Sequence, residues 1–428
     1  MSELRQRLAN ELQQIPFCDT HEHFPKEETR LNGPVDLFFY LHYVSCDLTS
    51  AGQVAQLWEG ESERLPLEEK WARFWEFWPY VEHTGYGQAF KIMAADLFGV
   101  EEINPEAFPD LNANAATFAK PGYYRTLLRE RANIARSCRI VWSRQPTYCD
   151  LDHLFPVPVF DHFATVASRS DLRAIEQETN TRIHTLHDLC TALDAGFDRR
   201  QNEGMVGVKV FLACKRTLDF RQVSASEAEA VFHRVTQAHG DTPVGFSEAK
   251  PLQDYMVHQI IGQAVERGLP IQVHTGFQND NGNFVTNSRP THLVNLFMTY
   301  TRGKFNLLHG GWPYTQEFVS LAKAFPNVHA DMAWTYIVGP RMAMRLLHEL
   351  LESVPSNKIL GFGGDYNFAE GAYAHARLAR RVIRHVLAER IEDGTMSEGQ
   401  ALAVARRIMH DNAARMYGFP TLDRESGP

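Results

Sequence analysis

Two histidines spaced two residues apart give the strongest chemical signal in the sequence. His21 and His23 follow directly on a short apolar run at residues 15–18. Residues two apart on an extended segment face the same side, so both imidazoles can reach one metal ion. Neutral imidazole is a good ligand for zinc and neighbouring transition metals. The spacing alone is weak evidence, because a chain with 19 histidines produces it by chance.

Two further histidines strengthen the case for a metal site. His274 and His309 each end a later apolar run, and each is followed by Gly or Thr-Gly. A single histidine at the end of a strand is more often a structural residue with a satisfied hydrogen bond. Two of them, together with the pair at the first run, favour a role as ligands.

A carboxylate follows the last apolar run. Asp365 lies in Gly363-Gly-Asp365, where it can bind a metal ion and accept a proton from the water that the ion activates. The alternative is a plain Gly-Gly-Asp turn.

Lys209 is the one charged residue of the apolar run at residues 205–212. Burying an unpaired ammonium is costly, so this lysine must be neutralised, paired or modified. Carboxylation by carbon dioxide would make it an anionic ligand that bridges two metals. An Asp or Glu partner across the fold explains it equally well, and the sequence leaves both alternatives open.

The elements that must position these residues alternate regularly along the chain. Eight short apolar runs, several of them too apolar for one-sided strands, predict strands buried in a parallel sheet. They lie at residues 15–18, 134–142, 155–160, 205–212, 269–273, 305–308, 327–331 and 358–362. Helical periodicity separates the later runs, at residues 227–238, 252–267, 290–301, 315–325, 341–353 and 372–390. This order predicts a (β/α)8 TIM barrel, with active-site residues at the carboxyl ends of its strands. A doubly wound sheet is the alternative, but no G-x-G-x-x-G follows the first strand.

A long segment separates the first two strands, at about residues 25–130. It exceeds what one βα connection needs and contains four tryptophans, three of them within residues 71–78. We expect a helical insertion with an aromatic core. It leaves the barrel at the active-site end, so it can also cover the mouth and contact substrate. With no linker or repeat in sight, residues 1–428 are interpreted as one elaborated barrel domain.

Composition excludes several other classes of protein. The 428 residues include 43 Lys and Arg against 52 Asp and Glu, a net charge of −9. This acidic balance without charge blocks argues against nucleic acid or an anionic membrane as partner. Six cysteines without a C-x-x-C pair indicate a reducing cytoplasm. The sequence contains no run of 18 apolar residues, so no membrane span is predicted.

The whole set of residues resembles the amidohydrolase superfamily of metal-dependent barrel hydrolases, and more narrowly its amidohydrolase-related branch. His21, His23, Lys209, His274, His309 and Asp365 match strands one, four, five, six and eight in order. The resemblance extends to further short segments: His83-Thr-Gly-Tyr86, Lys215-Arg216, His274-Thr-Gly-Phe277, Leu308-His-Gly-Gly-Trp and Asp411-Asn-Ala-Ala-Arg. The resemblance implies that His21, His23 and Asp365 hold one divalent metal. It implies that His274 and His309 bind a second ion or polarise substrate, and that Lys209 bridges the two if it is carboxylated. Zinc is the first choice, and manganese or iron suits the same ligands.

The reaction that the resemblance implies is metal-assisted hydrolysis of an amide, ester or similar bond in a small molecule that bears a carboxylate. Asp365 would move the proton, and His309 or the metal would stabilise the oxyanion. Candidate substrate contacts follow the strands: Arg144, Arg216, Trp312, Tyr314 and Trp334. The aromatic residues among them can equally serve to pack the insertion. Nonoxidative decarboxylation, a uronate-isomerase-like reaction and a non-catalytic metal-binding module are alternatives, and a homo-oligomer is left open.

Overall fold

The computed structural model describes residues 3–32, 36–53, 65–143, 145, 147, 153–238, 240–279 and 281–420. Its strands are β1 (Phe17–Glu22), β2 (Ile134–Val141), β3 (Leu154–Pro158), β4 (Val208–Val210), β5 (Pro270–His274), β6 (Lys304–Leu308), β7 (Val328–Asp331) and β8 (Ile359–Leu360). Each overlaps one of the strands predicted from the sequence. The fourth and eighth are shorter than predicted.

All neighbouring strands pair in parallel, in the order of the chain. One run of pairing joins β1, β2 and β3, and another joins β4 through β8. An isolated parallel bridge between Val159 and Lys209 links the two runs. At the other seam, the backbone N–H of Thr20 donates to the carbonyl of Phe362 at 3.1 Å, and that of Asp365 to the carbonyl of His21 at 2.8 Å. The fold is the α/β barrel that the alternation predicts.

Helices surround the strands. Those before β2 are α1 (Glu3–Gln14), α2 (Glu27–Leu31), α3 (His42–Ser50), α4 (Leu67–Val81), α5 (Gly85–Asp96) and α6 (Phe108–Thr117). Between β3 and β5 lie α7 (Arg169–Thr179), α8 (Leu186–Asn202), α9 (Ala225–Gln237) and α10 (Phe246–Glu266). The later ones are α11 (Val294–Thr299), α12 (Thr315–Ala324), α13 (Thr335–Val338), α14 (Pro340–Ser353), α15 (Ala369–Glu392), α16 (Glu398–Arg406) and α17 (Asn412–Tyr417).

The insertion between β1 and β2 is helical wherever it is described, and its aromatic residues pack together. Trp71 stacks on Phe74 with ring centroids 5.1 Å apart, and Phe74 stacks on Trp78 at the same separation. The same apolar cluster includes Trp334 and Phe368, which belong to loops of the barrel. The aromatic core of the insertion is therefore continuous with the barrel wall near the carboxyl ends of the strands.

Within the ranges given above, none of the helices combines the length and the apolar character that crossing a bilayer requires.

Candidate metal centre

The carboxyl ends of four strands bring the predicted ligands together. His21 lies in β1 and His23 one residue beyond it. His274 is the last residue of β5, and His309 directly follows β6. Asp365 lies five residues beyond β8. Because parallel strands of a barrel end at one rim, residues far apart in the chain meet there.

The distances among three of these side chains fit one metal ion. His21 Nε2 lies 3.4 Å and His23 Nε2 lies 2.9 Å from Asp365 Oδ1. The two imidazole Nε2 atoms are 3.2 Å apart. Donors about 2.0–2.1 Å from a tetrahedrally bound zinc ion are separated by about 3.3 Å, so the spacing matches. His309 adjoins this group, with Nδ1 3.6 Å from Asp365 Oδ2, and a metal could be held by His21, His309 and Asp365.

A buried amide orients the ring of His21. His21 Nδ1 lies 2.9 Å from the amide oxygen of Gln272. The amide nitrogen of Gln272 donates to the carbonyl of Thr20 at 2.7 Å and to the hydroxyl of Tyr417 at 2.8 Å. These bonds fix the amide so that its oxygen faces the ring. His21 then carries its proton on Nδ1, which leaves the Nε2 lone pair for a metal.

Asp365 has a left-handed backbone, with φ of 60°, and its neighbours hold it there. Asp19 Oδ1 accepts the N–H of Gly364 at 3.2 Å, and Glu22 Oε2 accepts the N–H of Tyr366 at 2.9 Å. The hydroxyl of Tyr43, which belongs to the insertion, donates to the backbone carbonyl of Asp365. A strained conformation persists only where its surroundings determine it, and here three side chains do so.

Burial and mutual charge set the protonation of the cluster. Burial lowers the pKa of His274 to about 3 and that of His21 to about 4, and it holds the pKa of His309 well below its ordinary value. Burial alone would raise the pKa of Asp365, but its interactions with His21, His23 and His309 hold it well below its ordinary value. Neutral imidazoles around an ionised carboxylate are the forms that bind metal.

His274, His309 and Lys209 lie on the inner side of this group. The rings of His274 and His309 have centroids 4.2 Å apart, and Lys209 Nζ lies 3.5 Å from His21 Nε2. His274 Nδ1 and His309 Nε2 are buried without a hydrogen-bond partner among the described residues. Likewise, within the described ranges no carboxylate lies within 4.0 Å of Lys209, so the direct carboxylate partner that the sequence left open is not found. Burial lowers its pKa to about 7, against the fields of Asp365, Asp161 and Asp331.

Two of the predicted aromatic contacts lie near the cluster. Trp334 meets His309 edge-on, with centroids 5.5 Å apart, and stacks on Phe277 at 5.6 Å. Trp312 packs against the other side of Phe277 at 5.2 Å. Tyr314 lies farther out, half-buried beneath the guanidinium of Arg289.

Arg216, predicted as a substrate contact, lies in a buried network of protein groups. Its guanidinium forms a buried ion pair with Asp254 and donates to Gln253 Oε1 at 3.1 Å. It also lies over the ring of Phe220. The fork that suited a substrate carboxylate is therefore engaged within the protein, because a buried guanidinium requires its own counter-charge. Arg144 lies outside the described residues.

Sequence patterns missed several residues of the site. His42 and Tyr43 come from α3 of the insertion, and His42 Nε2 lies 2.9 Å from the amide nitrogen of Asn367, two residues after Asp365. Glu22 and Asp19 frame Asp365, and Gln272 orients His21. The polar residues at alternate positions of β1 and β5 were the available signal, since polar groups buried inside a barrel strand require partners.

The parallel barrel thus carries imidazoles and a carboxylate at the carboxyl ends of β1, β5, β6 and β8, a group that could hold a metal ion. A family model described as amidohydrolase matches residues 199–419, and the chain belongs to the amidohydrolase family. The matched residues include Lys209, His274, His309 and Asp365, whereas His21 and His23 precede them.

Individual relatives cover the chain to different extents. Protein fluG of Emericella nidulans is 30% identical over 230 residues, which is 51% of this chain but only 26% of that protein. A uronate isomerase of Brucella canis is 22% identical over 97% of this chain and 96% of its own. The crystal structure of uronate isomerase from Thermotoga maritima has a TM-score of 0.82 at 17% identity, covering 97% of this chain and 98% of that one. At this identity the structural match establishes the fold.

Proposed function

We propose that this protein is a metal-dependent hydrolase that cleaves an amide, ester or similar bond of a small, carboxylate-bearing molecule. The observation that carries the proposal is the convergence of neutral imidazoles on one ionised carboxylate. His309 joins the group, with its ring centroid 5.4 Å from that of His21 and its Nδ1 3.6 Å from Asp365 Oδ2. Hydrolysis requires a general base and a group that stabilises the oxyanion, both within reach of the same substrate atoms.

His21, His23 and Asp365 would hold a divalent metal, with zinc as our first choice and manganese or iron as alternatives. When bound, such an ion acidifies water and polarises a carbonyl group. Asp365 Oδ2 lies on the side of His309, where it can accept the proton of the attacking water and return it to the leaving group. The single N–H of neutral His274 faces the carbonyl of Phe277, and that of His309 faces the carbonyl of Ala333. Their other ring nitrogens carry lone pairs and would serve as ligands of a second ion, which would stabilise the oxygen that gains negative charge. Trp334 would exclude bulk water from that side.

Lys209 is proposed to be carboxylated, and it would then serve as an anionic ligand shared by the metal at His21, His23 and Asp365 and a second ion at His274 and His309. Carbon dioxide adds only to a neutral amine, and a pKa of about 7 leaves much of this amine neutral near neutral pH. Intact-mass and peptide mass spectrometry on native protein would show the added carbon dioxide on Lys209. If Lys209 is unmodified and the protein carries one metal ion per chain, the bridge is wrong and the site holds a single metal.

Isotope labelling tests the reaction class. We would incubate the metal-loaded protein with N-acyl amino acids and carboxylate esters in ¹⁸O-labelled water and analyse the products by mass spectrometry. Hydrolysis places one label in the acid product. Release of carbon dioxide with no label in the remaining product would instead identify a decarboxylase, and the hydrolase proposal would be wrong. Exposed His233, changed to Ala, gives a control variant that should keep full activity.

Isomerisation of a uronate is a second candidate, favoured by one observation. The similarity to uronate isomerases spans 97% of this chain, including the insertion that contributes His42 and Tyr43. A uronate isomerase moves protons between two adjacent carbons and conserves mass. Incubation with D-glucuronate and D-galacturonate, with detection of a ketose of unchanged mass, would support this candidate against hydrolysis.

A further inference from the structure

A groove on the helical side of the molecule concentrates positive charge away from the metal centre. Arg377, Arg381 and Arg384 follow one another at four- and three-residue intervals on α15, which places them on one face of that helix. They line a cavity of about 560 Å³ whose other walls come from α1, from α5 and from Glu101 beyond it. Asp96 and Glu101 are the two carboxylates among the lining residues, against five Lys and Arg. We call this cavity and its continuation the arginine groove.

The continuation is a second cavity of about 700 Å³ along the same helix. The two cavities share Gln88, Arg381 and Arg384 and therefore meet at these side chains. Arg341, at the start of α14, and Arg5, on α1, line the second cavity. Cavities of this size are in the range that holds small organic ligands, roughly 300–1,000 Å³.

The arginines at the centre of the groove lack acidic partners. Arg377 Nε lies 3.4 Å from Asp96 Oδ2, whereas Arg381 donates to the neutral amide oxygen of Gln88 at 2.7 Å. Over the described parts of the chain, no carboxylate oxygen lies within 4.0 Å of the guanidinium of Arg384 or Arg341. Burial lowers the pKa of Arg381, and the charge of Arg384 lowers it further.

Arg380 shows what a structural arginine on the same helix looks like. It turns inward and donates to the backbone carbonyls of Leu12, Ile15, Ala132 and Asn133. These bonds satisfy its donors and join α15 to the start of the barrel. No comparable set of acceptors meets Arg384 in the described residues, so its donors face the groove and solvent.

We propose that the arginine groove is a binding site for a small polyanion, a molecule with two or more phosphate or carboxylate groups. Planar guanidinium groups match both kinds of anion through paired N–H donors. The groove collects arginines on a chain whose net charge is −9, so its sign is opposite to that of the protein as a whole. Its walls include residues of α1, α5, α14 and α15, so one ligand would contact several helices together. The proposal does not depend on the reaction at the metal centre.

Calorimetric titration of the full-length, metal-loaded protein at low ionic strength tests the proposal. Fructose 1,6-bisphosphate is the phosphate probe and tricarballylate the carboxylate probe, and their comparison shows which group the groove prefers. Changing Arg381→Gln together with Arg384→Gln should weaken binding of the preferred probe at least about tenfold, because two charge-assisted contacts are lost. Arg302→Gln, on an exposed turn before β6, is the matched control and should bind as the unchanged protein does.

Arginine labelling gives a second measurement that needs no variant. Phenylglyoxal should modify Arg381 and Arg384 in the free protein, and the bound probe should protect both while Arg302 stays reactive. The absence of binding by either probe, equal binding by the double variant, or protection spread evenly over surface arginines would each overturn the proposal.

Discussion

A carboxylate oxygen of Glu22 occupies the space that a Cβ atom at Gly364 would take. The other oxygen of Glu22 accepts the N–H of Tyr366 at 2.9 Å, so the carboxylate cannot swing away without losing that bond. Only glycine fits at position 364, because the Glu22 carboxylate lies against its Cα. The residues on either side of Asp365, Gly364 and Tyr366, each donate a backbone N–H to a side chain of β1. The candidate metal ligands of β1 and of the loop after β8 are therefore held together by the same contacts.

Replacing Gly364 with Ala should lower both stability and metal content. The added methyl group must displace the buried carboxylate of Glu22, and overpacking of this kind costs about 1–3 kcal/mol. The loop that carries Asp365 would move with it. Differential scanning calorimetry and elemental analysis of the purified variant give the two readouts.

Gly399→Ala is the matched control, because an added Cβ at this exposed position of α16 meets no atom within 4 Å. It should leave melting temperature and metal content near those of the unchanged protein. Equal effects of the two substitutions would contradict the role given to the contact between Glu22 and Gly364.

Tyr43→Phe isolates the hydrogen bond from the insertion to Asp365. Tyr43 donates to the Asp365 carbonyl, whereas the hydroxyl of its stacking neighbour Tyr86 has no hydrogen-bond partner among the described residues. Loss of the Tyr43 bond should cost about 1 kcal/mol and reduce metal affinity, measured by competition with a chelator. Tyr86→Phe removes the same atom from the same aromatic stack and should leave metal affinity unchanged. If both variants bind metal equally well, the Tyr43 bond does not position Asp365.

Removal of the paired imidazoles should abolish metal binding. Changing His21→Ala and His23→Ala together leaves Asp365 without two of its neighbours, at 3.4 Å and 2.9 Å. We expect the metal content of the double variant to fall to background with most of the fold retained in circular dichroism. The His233→Ala control should keep its metal. Metal content that is unchanged in the double variant would show that the ligand assignment is wrong.

Asp161, which is far in sequence from the candidate metal ligands, should make the stability of the protein depend on pH. Burial raises its pKa from 3.8 to about 7, while it accepts the N–H of Phe211 at 2.8 Å. The folded protein thus binds a proton that the unfolded chain releases, so this group stabilises at low pH and the contribution is lost as pH rises from about 4 to about 7.

Asp161→Asn keeps an acceptor for Phe211 and removes the titration. The melting temperature of the variant, relative to the unchanged protein at the same pH, should therefore be higher at pH 8 than at pH 5. Comparing the two proteins at each pH cancels the groups that they share. An identical difference at both values would mean that Asp161 is ionised in the folded protein throughout.

The order of elements was predictable because its signals are local. An apolar run or a helical period is contained in a short stretch of about a dozen residues. These patterns were enough to predict the position of each strand from β1 to β8. The predicted ends were less accurate at β4, where residues 205–212 reduce to Val208–Val210. There the chain turns into a short 3-10 helix at Leu212, so that apolar residues continue past the end of the pairing.

The partners of buried charges were not predictable in the same way. Arg216 looked like a substrate contact because it follows β4, but Asp254, from α10, neutralises it. Lys209 was expected to have a carboxylate partner or a modification, and the structure places its amine 3.5 Å from His21 Nε2. Such pairings depend on the approach of segments far apart in sequence, for which the chain carries no local pattern.

By itself, the sequence determined the barrel order and the positions of His21, His23, His274, His309 and Asp365 at strand ends, since strand ends share one rim in any parallel barrel. Only the tertiary structure decided how these residues are held. It brought Tyr43 of the insertion to Asp365, closed β1 on the loop after β8 through Glu22, and gathered arginines of α15 against α5. Spacing along the chain fixes which face a residue occupies, whereas folding in three dimensions fixes what that face meets.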